Sequence, residues 1–239
     1  MSFLVPAVLP TSRKDLESDI ALFEKMKHVT RVQIDTVDGQ FAGPASWPYN
    51  DVDGFRAMVE SGEMLPGIER FEYEIDLMNL DAERAGDMWL TLGASRLTFH
   101  AEATTNLPLL LERMHLRNSA GPGFLTGLVS FGVALNLGSD LSLIEPALPL
   151  VDYVQFMGIA RIGRQGQPFD THVYDRIRAF KKRYPEMPIQ IDGGVKLKEA
   201  RELALLGVSN VIVGSDLLRA KDPINEAARY RNLESAYGV

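Results

Sequence analysis

Short apolar runs of strand length alternate with segments of helical period from one end of the chain to the other, and eight such pairs fit into 239 residues. Nothing else in the sequence constrains the fold as strongly. The strand-like runs are Phe3–Leu9, Arg31–Gly39, Phe71–Met78, Arg96–Glu102, Leu128–Leu137, Val151–Met157, Pro188–Ile191 and Asn210–Val213. The segments between and after them predict helices over Ser12–Lys27, Asp51–Ser61, Asp81–Leu92, Leu107–Leu116, Leu141–Leu148, Thr171–Arg183, Leu197–Leu206 and Pro223–Ser235. In the first, Leu16, Ile20 and Phe23 share one face and Ser12 stands at the N-cap. A strand followed by a helix, repeated, builds a parallel sheet. The length suits two small domains or one barrel of about 250 residues. A count of eight, with few residues left over, favours a single (β/α)8 TIM barrel over residues 1–239 against a doubly wound open sheet.

In such a barrel, chemistry belongs at the C-terminal ends of the strands. The polar residues of the strand runs lie there. Asp35 and Asp38 close the second run ahead of Gly39, and Asp192 closes the seventh ahead of Gly193 and Gly194. Glu74 and Asp76 sit on the third run, His100 and Glu102 on the fourth, and Asn136 on the fifth. A carboxylate on a buried strand needs a partner, so two acid-tipped strands predict one shared site. Taken singly, each Asp also reads as a cap for the turn that follows it. After the last two strands come Gly193-Gly194 and Gly214-Ser215, small residues whose backbone N–H groups suit a phosphate. The loop from Gly158 to Gln167 adds Gly163, Gly166, Arg161 and Arg164, the arginines as charge partners of an anion. His28 and His172 read as ordinary surface residues, His100 as either a site-orienting or a core histidine, and Met157 as pocket floor.

Composition excludes several function classes. With no cysteine there is no disulfide, no thiolate metal ligand and no cysteine nucleophile. The net charge of −7 and the lack of a basic face argue against nucleic acid as a partner. No run approaches the ~18 apolar residues that span a bilayer. The start, Met1-Ser-Phe-Leu-Val-Pro6, lacks the basic segment and long apolar run of a signal peptide. A cytoplasmic location is therefore the expectation, and a homo-oligomer is expected because barrels of this type commonly associate.

Several motifs together resemble the ribulose-phosphate 3-epimerase family. Asp35-Thr-Val-Asp-Gly-Gln-Phe41 is similar to that family's Asp-x-Met-Asp-Gly-x-Phe, and Asp76-Leu-Met78 stands where the family has His-Leu-Met. Thr98-Phe-His-Ala-Glu102, Val133-Ala-Leu-Asn136, Ile191-Asp-Gly-Gly-Val195 and Val213-Gly-Ser215 resemble its fourth, fifth, seventh and eighth strand motifs. Gly163-Arg-Gln-Gly-Gln167 resembles its Gly-Phe-Gly-Gly-Gln loop.

The resemblance implies that two aspartates move one proton at C3 of a ketose phosphate through an enediolate. By position these are Asp35 and Asp192. It also implies a divalent metal, which the family holds with two His and the two Asp. Here the first of those histidines is Gln33 and the second Asp76, and the family's N-terminal Ser is Ala7. A ligand set of Gln33, Asp35, Asp76 and Asp192 is all oxygen, so the expected ion is Mg²⁺, Mn²⁺ or Ca²⁺ rather than Zn²⁺, or there is no metal. The implied partner is a small sugar phosphate, gripped by Gly163, Arg164, Gly166, Gly193, Gly194, Gly214 and Ser215. Two further departures bear on that grip. Asp216 stands where the family has a small neutral residue, and Ile162 where it has Pro. Other readings are a lyase or decarboxylase on the same barrel and a non-catalytic binding relative.

Overall fold

A computed structural model describes residues 3–119 and 128–237; Met1 and Ser2, part of the N-terminal reading, lie outside them. Eight parallel strands close into a barrel in the order β1 to β8. They are β1 (Leu4–Val8), β2 (Arg31–Val37), β3 (Glu72–Met78), β4 (Arg96–His100), β5 (Ser130–Leu135), β6 (Tyr153–Met157), β7 (Ile189–Asp192) and β8 (Asn210–Val213). Helices α1 (Arg13–Phe23), α2 (Val52–Ser61), α3 (Ala82–Thr91), α4 (Leu107–Ser119), α5 (His172–Arg183), α6 (Leu197–Leu205), α7 (Ser215–Leu218) and α8 (Pro223–Tyr237) join them. The expected (β/α)8 TIM barrel is thus the fold.

Side-chain alternation divides each strand between two cores. Outward residues such as Ile34, Ile75, Leu97, Phe131, Phe156 and Ile191 pack against Leu16, Trp89, Met114, Ile177, Phe180 and Leu203 of the helices in one continuous apolar cluster. The inward apolar residues Val5, Ala7 and Ile212 form a small separate cluster. Most other inward positions of β2 to β7 are polar and buried: Gln33, Asp35, Glu74, Asp76, Thr98, His100, Gln155, Gln190 and Asp192. Burying so many polar groups is tolerable only where they bond one another, and here each of them bonds at least one other.

Local chemistry explains where the elements begin and end. Ser12 caps α1, its Oγ accepting from the Asp15 backbone N–H at 3.1 Å. Gly62, at φ +67, lets the chain turn out of α2 through the left-handed region. Three differences from the sequence reading stand out. The helix expected over Leu141–Leu148 is instead a pair of 3-10 turns, Leu141–Leu143 and Glu145–Leu150, because Pro146 and Pro149 withhold the N–H groups a continuing α-helix needs. The fourth strand ends at His100, and Ala101–Ala103 turns away as a 3-10 segment. The short helix α7 directly after β8 was not foreseen, since one turn of helix has no readable period.

Candidate active site

The β2 and β3 strands pair with Gln33 beside Glu74 and Asp35 beside Asp76. Further round the barrel β7 ends in Asp192. Closure brings Asp35, Asp76 and Asp192 together, each offering one carboxylate oxygen within 4.8 Å of the others. Gln33 bridges two of them: its Nε2 donates to Asp35 Oδ1 and to Asp192 Oδ2, both at 2.8 Å. Its Oε1 is buried with no hydrogen-bond partner. All four expected metal-ligating residues therefore meet at one point.

They do not all reach the cavity. Asp35 and Asp192 are 8% and 9% exposed, whereas Asp76 and Gln33 are fully buried. Above the first two opens a cavity of about 640 Å³, with Met78 and Met157 on its walls. Gly163, Arg164, Gly166, Gly193, Gly194, Gly214 and Ser215 all line it. The expected grip residues thus share one cavity with the two aspartates. Arg161 does not line the cavity, and Arg164 donates through Nε to the Gly43 carbonyl at 3.1 Å. Gly194 is required where it stands: φ is +70°, and a Cβ there would meet the Phe169 backbone nitrogen at 2.6 Å. Asp216 lines the cavity too, but its Oδ2 accepts from the Tyr230 hydroxyl at 2.8 Å, which ties the carboxylate to α8.

Beneath the floor a buried network holds the acids in place. His100 Nε2 lies 2.9 Å from Asp76 Oδ1, and Gln155 Nε2 donates to Asp76 Oδ2 at 3.2 Å. Gln190 donates to Gln155 Oε1 at 2.7 Å and to Glu74 Oε1. Glu74 in turn accepts from Arg96 Nε at 2.9 Å and from Thr98 Oγ1 at 3.1 Å, with Arg31 at 3.9 Å. Glu74 is therefore one layer below the strand ends and serves the barrel interior, not the cavity. Asp38 is also structural. Its carboxylate accepts from the backbone N–H groups of Gln40, Phe41 and Leu80 at 2.7, 2.8 and 2.9 Å, fixing the loop after β2. Glu102 accepts from the Asn136 backbone N–H at 2.8 Å, and neither residue lines the cavity. Sequence reasoning overlooked Gln155 and Gln190, although both interrupt apolar runs at inward positions of their strands. It left His100 open between a site-orienting and a core role, and the structure shows the ring buried against Asp76.

The electrostatics follow from this crowding. Burial, then the Asp192 and Asp76 charges, push the Asp35 carboxyl well above its ordinary value. Burial and the Asp76 carboxylate push Asp192 up to about 7. Burial alone would lower His100, but the Asp76 carboxylate outweighs it and leaves the imidazole raised. Burial would raise Glu74, but Arg96 and Arg31 outweigh it and hold that carboxyl low. Three carboxylates within reach of one point, two of them disfavoured as anions, fit a hard cation, while the Gln33 amide turns its nitrogen to two of them.

A model of the ribulose-phosphate 3 epimerase family matches residues 3–218. The chain belongs to this family. Among curated relatives, the Schizosaccharomyces pombe ribulose-phosphate 3-epimerase is 28% identical over 160 residues, 67% of this chain and 65% of that protein. The Aquifex aeolicus enzyme of that name is 36% identical over 106 residues, 43% of this chain and 47% of the relative. Both matches thus span less than two thirds of the relative's length. Among solved structures, 3-hexulose-6-phosphate synthase from Salmonella typhimurium superposes with a TM-score of 0.69 at 17% identity, covering 99% of this chain and 100% of the other. KGPDC from Streptococcus mutans gives 0.68 at 13%, covering 99% of each. At these identities the structural likeness speaks for the fold. Within the family, then, this member carries Gln33 and Asp76 at the two positions where the motifs have histidine. Among the described residues no helix is long and apolar enough to cross a membrane.

Proposed function

We propose that this chain, acting as a single barrel domain, epimerises a phosphorylated ketose, a pentulose or hexulose phosphate, at C3. The observation that carries the reading is the Gln33 bridge, which sets Asp35 and Asp192 side by side on the cavity floor at 2.8 Å from one amide nitrogen. Inversion at a carbon next to a carbonyl needs a base on one face and an acid on the other. One aspartate, ionised, removes the C3 proton; the electron pair moves onto the C2 carbonyl as an enediolate. The other aspartate, protonated, delivers a proton to the opposite face. Raised carboxyls suit this: near pH 7 one holds a proton while the other does not, and Asp192 at about 7 is matched to the operating pH. Roles exchange when the reaction runs backward. Gln33 fixes the spacing of the pair, while His100 and Gln155 hold Asp76 beneath it. Asp35, Asp76 and Asp192, joined by Gln33 with its amide turned to present Oε1, would hold Mg²⁺, Mn²⁺ or Ca²⁺, which when bound supplies charge stabilisation to the enediolate oxygens. Gly193, Gly194, Gly214 and Ser215 take the phosphate end, with Gly163, Arg164 and Gly166 closing over it.

The test is solvent exchange. D-ribulose 5-phosphate and a hexulose 6-phosphate are incubated in D₂O with Mg²⁺ or Mn²⁺, and deuterium at C3 is followed by NMR. Exchange with formation of the C3 epimer, lost in Asp35→Asn, is expected. Cleavage or loss of CO₂ without epimer replaces this reading with a lyase or decarboxylase. Binding without turnover makes the chain a non-catalytic relative.

A further inference from the structure

The loop between β6 and α5 carries a residue that the family's glycine-rich run does not. Along Gly163-Arg-Gln-Gly-Gln167, Gln165 stands where Gly-Phe-Gly-Gly-Gln has a glycine. Its side chain reaches the cavity wall formed by the start of α7. A Cβ added to Gly214 would lie 2.8 Å from Gln165 Nε2, and both residues line the cavity. That nitrogen is buried and has no hydrogen-bond partner. A buried N–H without an acceptor costs free energy, and a ligand oxygen removes the cost.

The charge around it selects what that ligand oxygen is. Arg219 sits one turn beyond Gly214, and a Cβ on Gly166 would meet its Nη1 at 3.0 Å, so the guanidinium lies over the same loop. Lys196, Arg219 and Lys221 line the same cavity, and among the described residues none has a side-chain partner. Asp216 and Glu226, which line the same cavity, are engaged elsewhere, Asp216 by Tyr230 at 2.8 Å and Glu226 by Arg229 at 2.7 Å. An unpaired amide donor in a cavity lined by uncommitted cations suits an anion.

We propose that Gln165 is a specificity-determining residue of this site, donating its amide N–H to the anionic end of the substrate while Arg219 supplies the countercharge. This rests on the reading of the substrate as a ketose phosphate. It adds a side-chain grip to the backbone grip of the two glycine pairs. The anion thereby gains a directional contact that a glycine at position 165 does not offer. Substitution of Gln165 changes affinity for the phosphate end and leaves the proton-transfer pair in place.

Calorimetry with inorganic phosphate, D-ribulose 5-phosphate and unphosphorylated D-ribulose tests it on wild type, Gln165→Ala, Gln165→Gly and Arg219→Met. Expected are a rise of about tenfold or more in Kd for both phosphate ligands in the Gln165 variants. KM rises with it while kcat falls by less, and affinity for D-ribulose is unmoved. Arg219→Met is expected to weaken phosphate binding and to flatten its salt dependence. Unchanged Kd and KM in Gln165→Ala, with wild type binding phosphate normally, would overturn this proposal and leave the epimerase reading standing. Wild type that binds neither phosphate ligand overturns both. If Gln165→Ala does not fold, judged by its melting curve, Arg219→Met and the glycine variant decide the question by the same readouts.

Discussion

Replacing Asp192 by Asn should stabilise the metal-free protein while removing the proposed C3 exchange. The carboxyl sits 9% exposed on the cavity floor. It is pushed from an ordinary 3.8 to about 7, first by burial and then by Asp76. A carboxyl so displaced destabilises the folded chain by on the order of 4 kcal/mol once it is ionised. Relaxation and water entering the cavity reduce that to about 2 kcal/mol. For a chain of this size this corresponds to roughly 4–8 °C in Tm. The sign depends on pH. Below pH 4 Asp192 is protonated in both folded and unfolded states and costs nothing. Between about pH 4 and 7 the unfolded chain releases the proton and the folded one keeps it, so wild type loses stability as pH rises. Above 7 the loss is complete. Asn, nearly isosteric with the protonated acid and still able to accept from Gln33, escapes this penalty. The assay is differential scanning calorimetry of both proteins in EDTA from pH 4 to 9, alongside C3 exchange. The variant should match wild type near pH 4, exceed it by the stated amount at pH 8, and lose 10²–10⁴-fold in turnover. An equal or lower Tm at pH 8, or a gain of the same size at both ends of the range, would refute the reasoning.

Other predictions concern neighbouring groups. Mg²⁺, Mn²⁺ or Ca²⁺ should raise the wild-type Tm and not that of Asp76→Asn, since removing one of three gathered carboxylates weakens a hard-cation site; stoichiometric zinc on these residues, measured by metal analysis, would contradict the all-oxygen assignment. Glu74→Gln should cost about 3 kcal/mol, read from urea unfolding, because it leaves Arg96 without its counter-ion inside the barrel, while Arg31 keeps Glu72 at 3.4 Å. Glu74 titrates low, so its contribution in wild type is present above the ordinary carboxylate range and disappears as pH falls through its depressed value. Gly194→Ala should destabilise the chain and weaken phosphate binding, measured by melting and calorimetry, because its Cβ meets the Phe169 backbone at 2.6 Å in a left-handed conformation.

What the sequence determined by itself was the succession of strands and helices, and with it the face on which chemistry had to lie. Period-2 and period-3.6 patterns are local, and a parallel barrel needs little more than their order. It also placed Asp35 and Asp192 at strand ends, and the glycines of the three loops around one cavity, because those positions follow from where each strand stops. Only the tertiary structure decided depth and partnership. Nothing along the chain says that Gln33 lies between Asp35 and Asp192, that Asp76 stays under the floor with His100, or that Glu74 belongs to a lower layer with Arg31 and Arg96. Alternation tells which side of a strand a residue occupies. The stagger of eight strands around a closed barrel tells which residues share a level, and that stagger is set by packing among all eight at once. The same reason hid Gln165, whose neighbour Gly214 lies 49 positions further on and becomes adjacent only when the barrel closes.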